Sequence, residues 1–349
     1  MTKENLKIAV VGGGSIGRVL SILLLTQGYD VEMVCRDNHR AIKIDNSYAY
    51  EIQGDFGNKS YLVPFVTSIE KLSSKKDIII LATKSFDTLK SAPKCLSKLT
   101  PKGTIVTIQN VYTIDKLINL IPRECTVCMI CDFACTKIDK VTYVKNSRGV
   151  TLGVYHPKAI NRMKLVSRVL ADIMDVYITK DIVGFAMGRN IINGTIAVLG
   201  AVSGMKLKHI LEDRNGRYLF CKTIKEAYNV CKRFEINVIP YNYQLDYEKF
   251  TRSGLKGALY RNKIMGILRK YNGNVKSSAL NNIENGEETE IRQLCDCIIA
   301  YAKKSKTDIP YIKTLSEMLF EIEKGKRRVN DNAFYDEKLL KIEGVKRRK

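Results

Sequence analysis

The sequence predicts an α/β protein. A doubly wound N-terminal domain spans residues 1–180, a mostly α-helical C-terminal domain 181–325, and a basic extension 326–349. Three observations carry this. The first 180 residues alternate short β-branched runs with helical patterns, the texture of a parallel sheet wrapped by helices. Within them Asp77-Ile78-Ile79-Ile80-Leu81-Ala82-Thr83 is almost continuously apolar, as a strand covered on both faces must be. From Asp181 onward the apolar spacing is helical, and no later run competes as a parallel strand.

Taken in order, residues 6–11 read as the first strand. Gly12-Gly13-Gly14-Ser15-Ile16-Gly17 turns it into a helix through Val19, Leu20, Ile22, Leu23 and Leu24, which Gly28 stops. Residues 30–36 form a second strand. Residues 48–68, with turn formers at 54–58, read as a hairpin or a partly irregular insertion. Residues 77–83, 104–108 and 126–133 continue the sheet. Residues 141–144 and 150–154, joined through Asn146-Ser147-Arg148-Gly149, are expected to pair as an antiparallel hairpin. In the second half, residues 191–199, 223–234, 291–302 and 312–322 carry helical spacing.

Composition bounds the function. A chain of 349 residues is longer than one core usually organises, so two domains are expected. An apolar fraction of 45% excludes wholesale disorder. No run of about 18 apolar residues argues for a transmembrane span. The start, Met1-Thr2-Lys3-Glu4-Asn5, lacks the pattern of a secretory signal. Ten Cys then read as reduced thiols, and a cytoplasmic protein is expected. The formal charge is +22, but the Lys and Arg are scattered, without aromatics interleaved to stack on bases. Neither a nucleic acid nor a membrane partner is expected, whereas anionic small molecules are favoured.

Gly12-x-Gly14-x-x-Gly17 lies between a predicted strand and a predicted helix, the context a dinucleotide fingerprint requires. Gly12 permits the tight turn, Gly14 the approach of a pyrophosphate, and Gly17 the packing of the helix on the sheet. Ser15 and Ile16 complete the cofactor loop, and the helix N-terminus faces the phosphate charge. This makes the first domain Rossmann-like. An acidic residue closing the second strand would suit the ribose hydroxyl of NAD, and an Arg the 2′-phosphate of NADP. Arg36 stands there with Asp37 directly after it and Arg40 nearby, and the Arg favours NADP(H).

Beyond the loop, six features stand in order: Gly12 to Gly17 with Arg36, Thr83-Lys84-Ser85, Gln109-Asn110, Asn193, Lys276-Ser277-Ser278-Ala279-Leu280 with Glu288-Thr289-Glu290-Ile291, and Asp308-Ile309-Pro310. With them the chain resembles the ketopantoate reductase (2-dehydropantoate 2-reductase) family over nearly its whole length. The resemblance implies NADPH-dependent reduction of a 2-oxo acid. Ketopantoate, on the way to pantothenate and coenzyme A, is the first choice. It implies a cleft between the two domains, with Lys84 and Asn110 beside both cofactor and substrate. Asn193 and Ser278 then hold the substrate, Glu290 binds a substrate hydroxyl, and the assembly allows a homodimer.

Two departures matter. The family's general-acid Lys position holds Arg189, and a second substrate-side Asn is replaced by Ala197. Arg does not readily give up a proton, but as a fixed charge it clamps a carboxylate or stabilises an oxyanion. Val111-Tyr112 also replaces the usual Gly after Asn110. These changes fit a different 2-oxo acid, or a proton from Lys84 or water. They also fit an NADP(H)-binding sensor or interaction protein with weak or no turnover. Cys125-x2-Cys128-x2-Cys131-x3-Cys135 has iron–sulfur spacing, yet sits in a predicted strand, where residues three apart face opposite ways. No metal site is therefore expected, and His39, His156 and His209 form no ligand pair.

Overall fold

Alternation within the first strand sets up the N-terminal architecture. In β1 (Lys7–Val11), Ile8 and Val10 enter one apolar cluster, and Ala9 and Val11 enter a second. Successive side chains of a strand point to opposite faces, so both faces of β1 are covered. The computed structural model describes residues 5–36, 42–108, 116–145, 147–240, 245–274, 276–284, 286, 289 and 291–347, without the side chains of 278 and 291–294. The chain divides into two compact units, Met1–Ile182 and Val183–Lys349.

In the first unit β1 leads through α1 (Ser15–Thr26) to β2 (Asp30–Val34), which pairs with it in parallel. Then come β3 (Ile42–Ile44), β4 (Ser47–Gly54), β5 (Lys59–Val66), β6 (Lys76–Leu81), α2 (Ser85–Cys95), β7 (Leu99–Thr107) and β8 (Thr126–Cys131). The unit closes with β9 (Ala134–Ile138), β10 (Val141–Lys145), β11 (Val150–Val154), α3 (Ile160–Ala171) and β12 (Val176–Ile178). One sheet holds all twelve strands, in the order β12-β11-β8-β7-β6-β1-β2-β5-β4-β10-β9 with β3 on β4. β8, β7, β6, β1, β2 and β5 run parallel. The apolar sides of α1 and α3 fill one face, and Ala92 and Cys95 of α2 help fill the other. This is the doubly wound α/β arrangement the sequence predicts. Residues 47–66 do form a hairpin, β4 against β5.

The hairpin expected from residues 141–144 and 150–154 does not form. β10 instead pairs antiparallel with β9 about a turn where Asp139 takes φ +49°, and β11 pairs antiparallel with β8. Burial explains the choice. β10 alternates between covered and exposed residues, whereas four of the five β11 residues are buried, so it belongs inside the sheet beside β8. The Cys run is split by the same pleat. Cys131 joins the cluster under α1, Cys125 packs beside the opposite cluster, and burial pushes the Cys128 thiol well above its ordinary range. Among the described residues no group of His, Cys, Asp and Glu is disposed to hold a metal ion.

The second unit is helical: α4 (Ile182–Ser203), α5 (Leu207–Glu212), α6 (Arg214–Arg233), α7 (Tyr247–Thr251), α8 (Gly254–Asn272), α9 (Ser278–Glu284), α10 (Ile291–Ser305), α11 (Pro310–Glu323) and α12 (Glu337–Leu340). α4 is long and apolar enough to cross a membrane, but 72% of its most apolar window is buried inside the molecule, as in the core helix of a globular unit. α6, α10 and α11 pack on one another. The segment after Gly325 is part of this core. Phe334 and Leu339 are fully buried, and Arg327 pairs with Glu321 at 2.7 Å and Asp336 at 2.6 Å.

Candidate active site

The glycine loop leaves the C-terminal end of β1, where the chain direction across the sheet reverses between β1 and β6. This is the place where open α/β sheets take ligands. Gly12 adopts φ +121°, and a Cβ there would stand 2.6 Å from the Ala82 carbonyl oxygen. Its N–H donates to Val34 at 2.8 Å, tying the loop to β2. A Cβ on Gly17 would lie 1.9 Å from the Gly12 carbonyl oxygen, so only glycine lets α1 sit this close. At Gly14 the nearest atom to such a Cβ is 4.0 Å away, which leaves this side of the loop open. Gly14 is the N-cap of α1 and supplies no side-chain acceptor, and the first turn holds no acidic residue. Free N–H groups at a helix start beside an uncrowded glycine fit a pyrophosphate.

Arg36 is exposed two residues after β2, and Gly13 packs against the intervening Cys35, with 2.8 Å between a Gly13 Cβ position and Cys35 Cβ. Arg36 thus follows a residue that packs on the glycine loop. Ser15 bonds the Cys135 thiol, and Ile16 packs partly on the core under α1. Lys84 follows β6 and is the N-cap of α2, its carbonyl accepting from Asp87 at 3.0 Å and Thr88 at 2.9 Å. It lies two residues beyond Ala82, the residue against which Gly12 turns. Asn110 lies outside the described residues, as do Asp37 and Arg40.

Sequence reading missed Arg18. Only 2% exposed, it donates from Nε to the Gly13 carbonyl at 3.2 Å and from Nη1 to the Asp139 carbonyl at 2.5 Å. Its guanidinium lies 4.1 Å from the Tyr50 ring centroid, and burial lowers its pKa. The side chain therefore ties the glycine loop to the β9–β10 turn. A lone Arg among the apolar residues of α1 was the available signal.

In the helical unit, Arg189, Asn193 and Ala197 recur every four residues along α4 and share one face. Arg189 and Asn193 are partly exposed and Ala197 is buried. The Ser277 hydroxyl donates to the Ala197 carbonyl at 3.0 Å, and a Cβ on Gly200 would stand 2.7 Å from Ser277 Cβ. That contact sets the start of α9, and so the backbone of Ser278, against α4. The side chain of Ser278 and all of Glu290 lie outside the described residues. Thr289 is 5% exposed and its hydroxyl donates to Glu323.

Comparison with known proteins agrees with both halves. The model of the ketopantoate reductase PanE/ApbA family matches residues 8–156, and that of its C-terminal domain residues 181–323. The 2-dehydropantoate 2-reductase of Pyrococcus abyssi is 24% identical over 340 residues, covering 92% of this chain and 98% of the relative. That of Pyrococcus horikoshii is 26% identical over 326 residues, covering 92% and 97%. Among solved structures, a D-mandelate dehydrogenase with NADH and anilino(oxo)acetate superposes with a TM-score of 0.77 at 16% identity, covering 92% of this chain and 99% of that one. A PanE/ApbA family ketopantoate reductase from Ralstonia eutropha gives 0.75 at 15% identity, covering 93% and 100%. At these identities the two structures share the fold with this chain.

Proposed function

The chain belongs to the ketopantoate reductase family, an oxidoreductase family, and from that premise we propose that it reduces a 2-oxo acid with NADPH, ketopantoate being the first candidate. The observation that carries the proposal is the glycine loop, open at Gly14 and closed by Gly12 and Gly17, with Arg36 beside it. Bound there, the reduced nicotinamide supplies the hydride for the carbonyl carbon. Gly12, Gly14, Ser15, Ile16 and Gly17 cradle the pyrophosphate, and Arg36 receives the 2′-phosphate. The D-mandelate dehydrogenase neighbour contains NADH, which supports a nicotinamide carrier and leaves the choice of phosphate to Arg36.

Reduction also needs positive charge or a proton where the alkoxide forms, and donors for the substrate carboxylate. Arg189 supplies a fixed charge for the carboxylate or the oxyanion, so Lys84 or water gives the proton. Asn193 and Ser278 hold the substrate, Asn110 serves both cofactor and substrate, and Glu290 takes a substrate hydroxyl, by their match to the family pattern. A cytoplasmic homodimer belongs to the same proposal.

The test is NADPH oxidation with ketopantoate and a panel of 2-oxo acids, for which steady turnover is expected. Tight NADPH binding with no turnover on any of them would favour the second reading, an NADP(H)-binding sensor of the same fold. Arg189 in place of a proton-donating Lys is the observation behind that reading.

A further inference from the structure

The helical unit holds a cavity of about 700 Å³ that the proposed reaction does not use. α6, the segment from α7 into α8 and the C-terminal tail line it, over a floor that includes Phe250 and Met265. Seven of its sixteen lining residues are Lys or Arg, and none is Asp or Glu. Two of the cations are otherwise engaged. Arg261 donates to the carbonyls of Phe250 at 3.0 Å and Arg252 at 2.8 Å, and Lys222 faces the Glu226 carboxyl. The remaining five, Arg214, Arg217, Lys225, Arg252 and Lys346, form no ion pair among the described residues.

Their placement breaks two local rules. Arg214 and Arg217 occupy the first turn of α6, where the helix dipole repels cations, and one carboxylate, the N-cap Asp213 accepting from the Gly216 N–H at 2.7 Å, stands against them. Three residues apart on one face, they also repel each other. One capping carboxylate against seven cations lining the cavity leaves an excess of positive charge that a ligand carrying negative charge would balance. The wall is also firmly built. Asn215, 1% exposed, donates to the carbonyls of Phe334 at 3.0 Å and Lys346 at 2.7 Å, and accepts from the Lys346 N–H at 3.1 Å. The Tyr218 hydroxyl donates to the Glu343 carbonyl at 3.1 Å, holding the tail a second time.

We propose that this cavity binds a small polyphosphate compound, two or more linked phosphates held by Arg214, Arg217, Lys225, Arg252 and Lys346. Arg214 and Lys225 lie eleven residues apart, about 16 Å along the helix axis. That spread exceeds a single phosphate, and the long Arg and Lys side chains reach inward to a shorter anion of several charges, with Phe250 and Met265 beneath any attached organic group.

The test is calorimetric titration of the full-length protein with sodium tripolyphosphate at low and physiological salt. With the glycine loop filled by saturating NADPH, single-site binding is expected, weakening by about tenfold or more as salt is raised. It falls by about tenfold or more in an Arg217→Glu, Arg252→Glu double variant. Lys346→Ala, on the exposed tail, gives a milder background, with a loss of roughly threefold expected. ATP as a second probe separates the sources. Equal affinity assigns recognition to the phosphates, and tighter binding adds the organic group; both agree with the proposal. Binding that survives in the cavity variants, or that NADPH abolishes by competition, would overturn it. So would tighter binding of a short single-stranded RNA through the same residues.

Discussion

A methyl group added at Gly17 would stand 1.9 Å from the Gly12 carbonyl oxygen, so Gly17→Ala must push α1 away from the loop. Strain of ~2–3 kcal/mol is typical of such overpacking. It should reach the ligand as a loss of about a hundredfold in NADPH affinity, read by fluorescence titration. An unchanged affinity would place the carrier elsewhere. Arg189 offers the second test at this scale. Arg189→Lys restores a group able to donate a proton, and kcat for ketopantoate should rise by about tenfold or more. Unchanged or lower activity would mean that Arg189 serves a substrate of its own. Glycines were legible in the sequence because spacing and context name them. Arg18 was not, since nothing local says that its guanidinium will find carbonyls at residues 13 and 139.

Elements were legible where burial is periodic. The parallel strands announce themselves by apolar runs, and helical spacing at residues 191–199, 223–234, 291–302 and 312–322 marks four helices, two of which begin about nine residues earlier, at Ile182 and Arg214. α8 does not, because Leu255 and Leu259 are exposed and its buried positions, Gly257, Ile264 and Met265, are few. The pairing of β10 and β11 was misread because turn residues between two strands say nothing about longer-range partners. One tie between elements makes a pH prediction. Glu226 accepts from the N–H groups of Tyr311 at 3.0 Å and Ile312 at 2.9 Å, joining α6 to the first turn of α11. Burial raises its pKa from 4.5 to about 7, against the pull of those two bonds. The folded state then holds the proton more tightly than the unfolded one. Its stabilising contribution is complete below the unfolded value and is lost as pH rises through the folded one. Wild-type melting should fall by roughly 2–8 °C between about pH 5 and pH 8. Glu226→Gln, with no titrating proton, should flatten that slope; an equal slope in the variant would reject the assignment.

At the scale of the whole molecule, the tail after Gly325 tests how the helical unit holds together. Its apolar residues are too sparse to show periodicity, which left its order undecided in the sequence, yet Phe334 and Leu339 are fully buried. Each contributes ~1.5–3 kcal/mol by burial. Deleting residues 326–349 also orphans the buried Asn215 amide and should lower the melting temperature by about 5 °C or more. Unaltered melting would show that the tail is dispensable. The central claim is that the first unit grips a phosphorylated nicotinamide carrier through its glycine loop and Arg36. Fluorescence titration with NADPH and NADH, on wild type and Arg36→Ala, tests it most directly. The account predicts saturable binding, NADPH tighter by about tenfold or more, and that preference erased in the variant. No change in carrier fluorescence at any concentration, or a preference indifferent to Arg36, would contradict it.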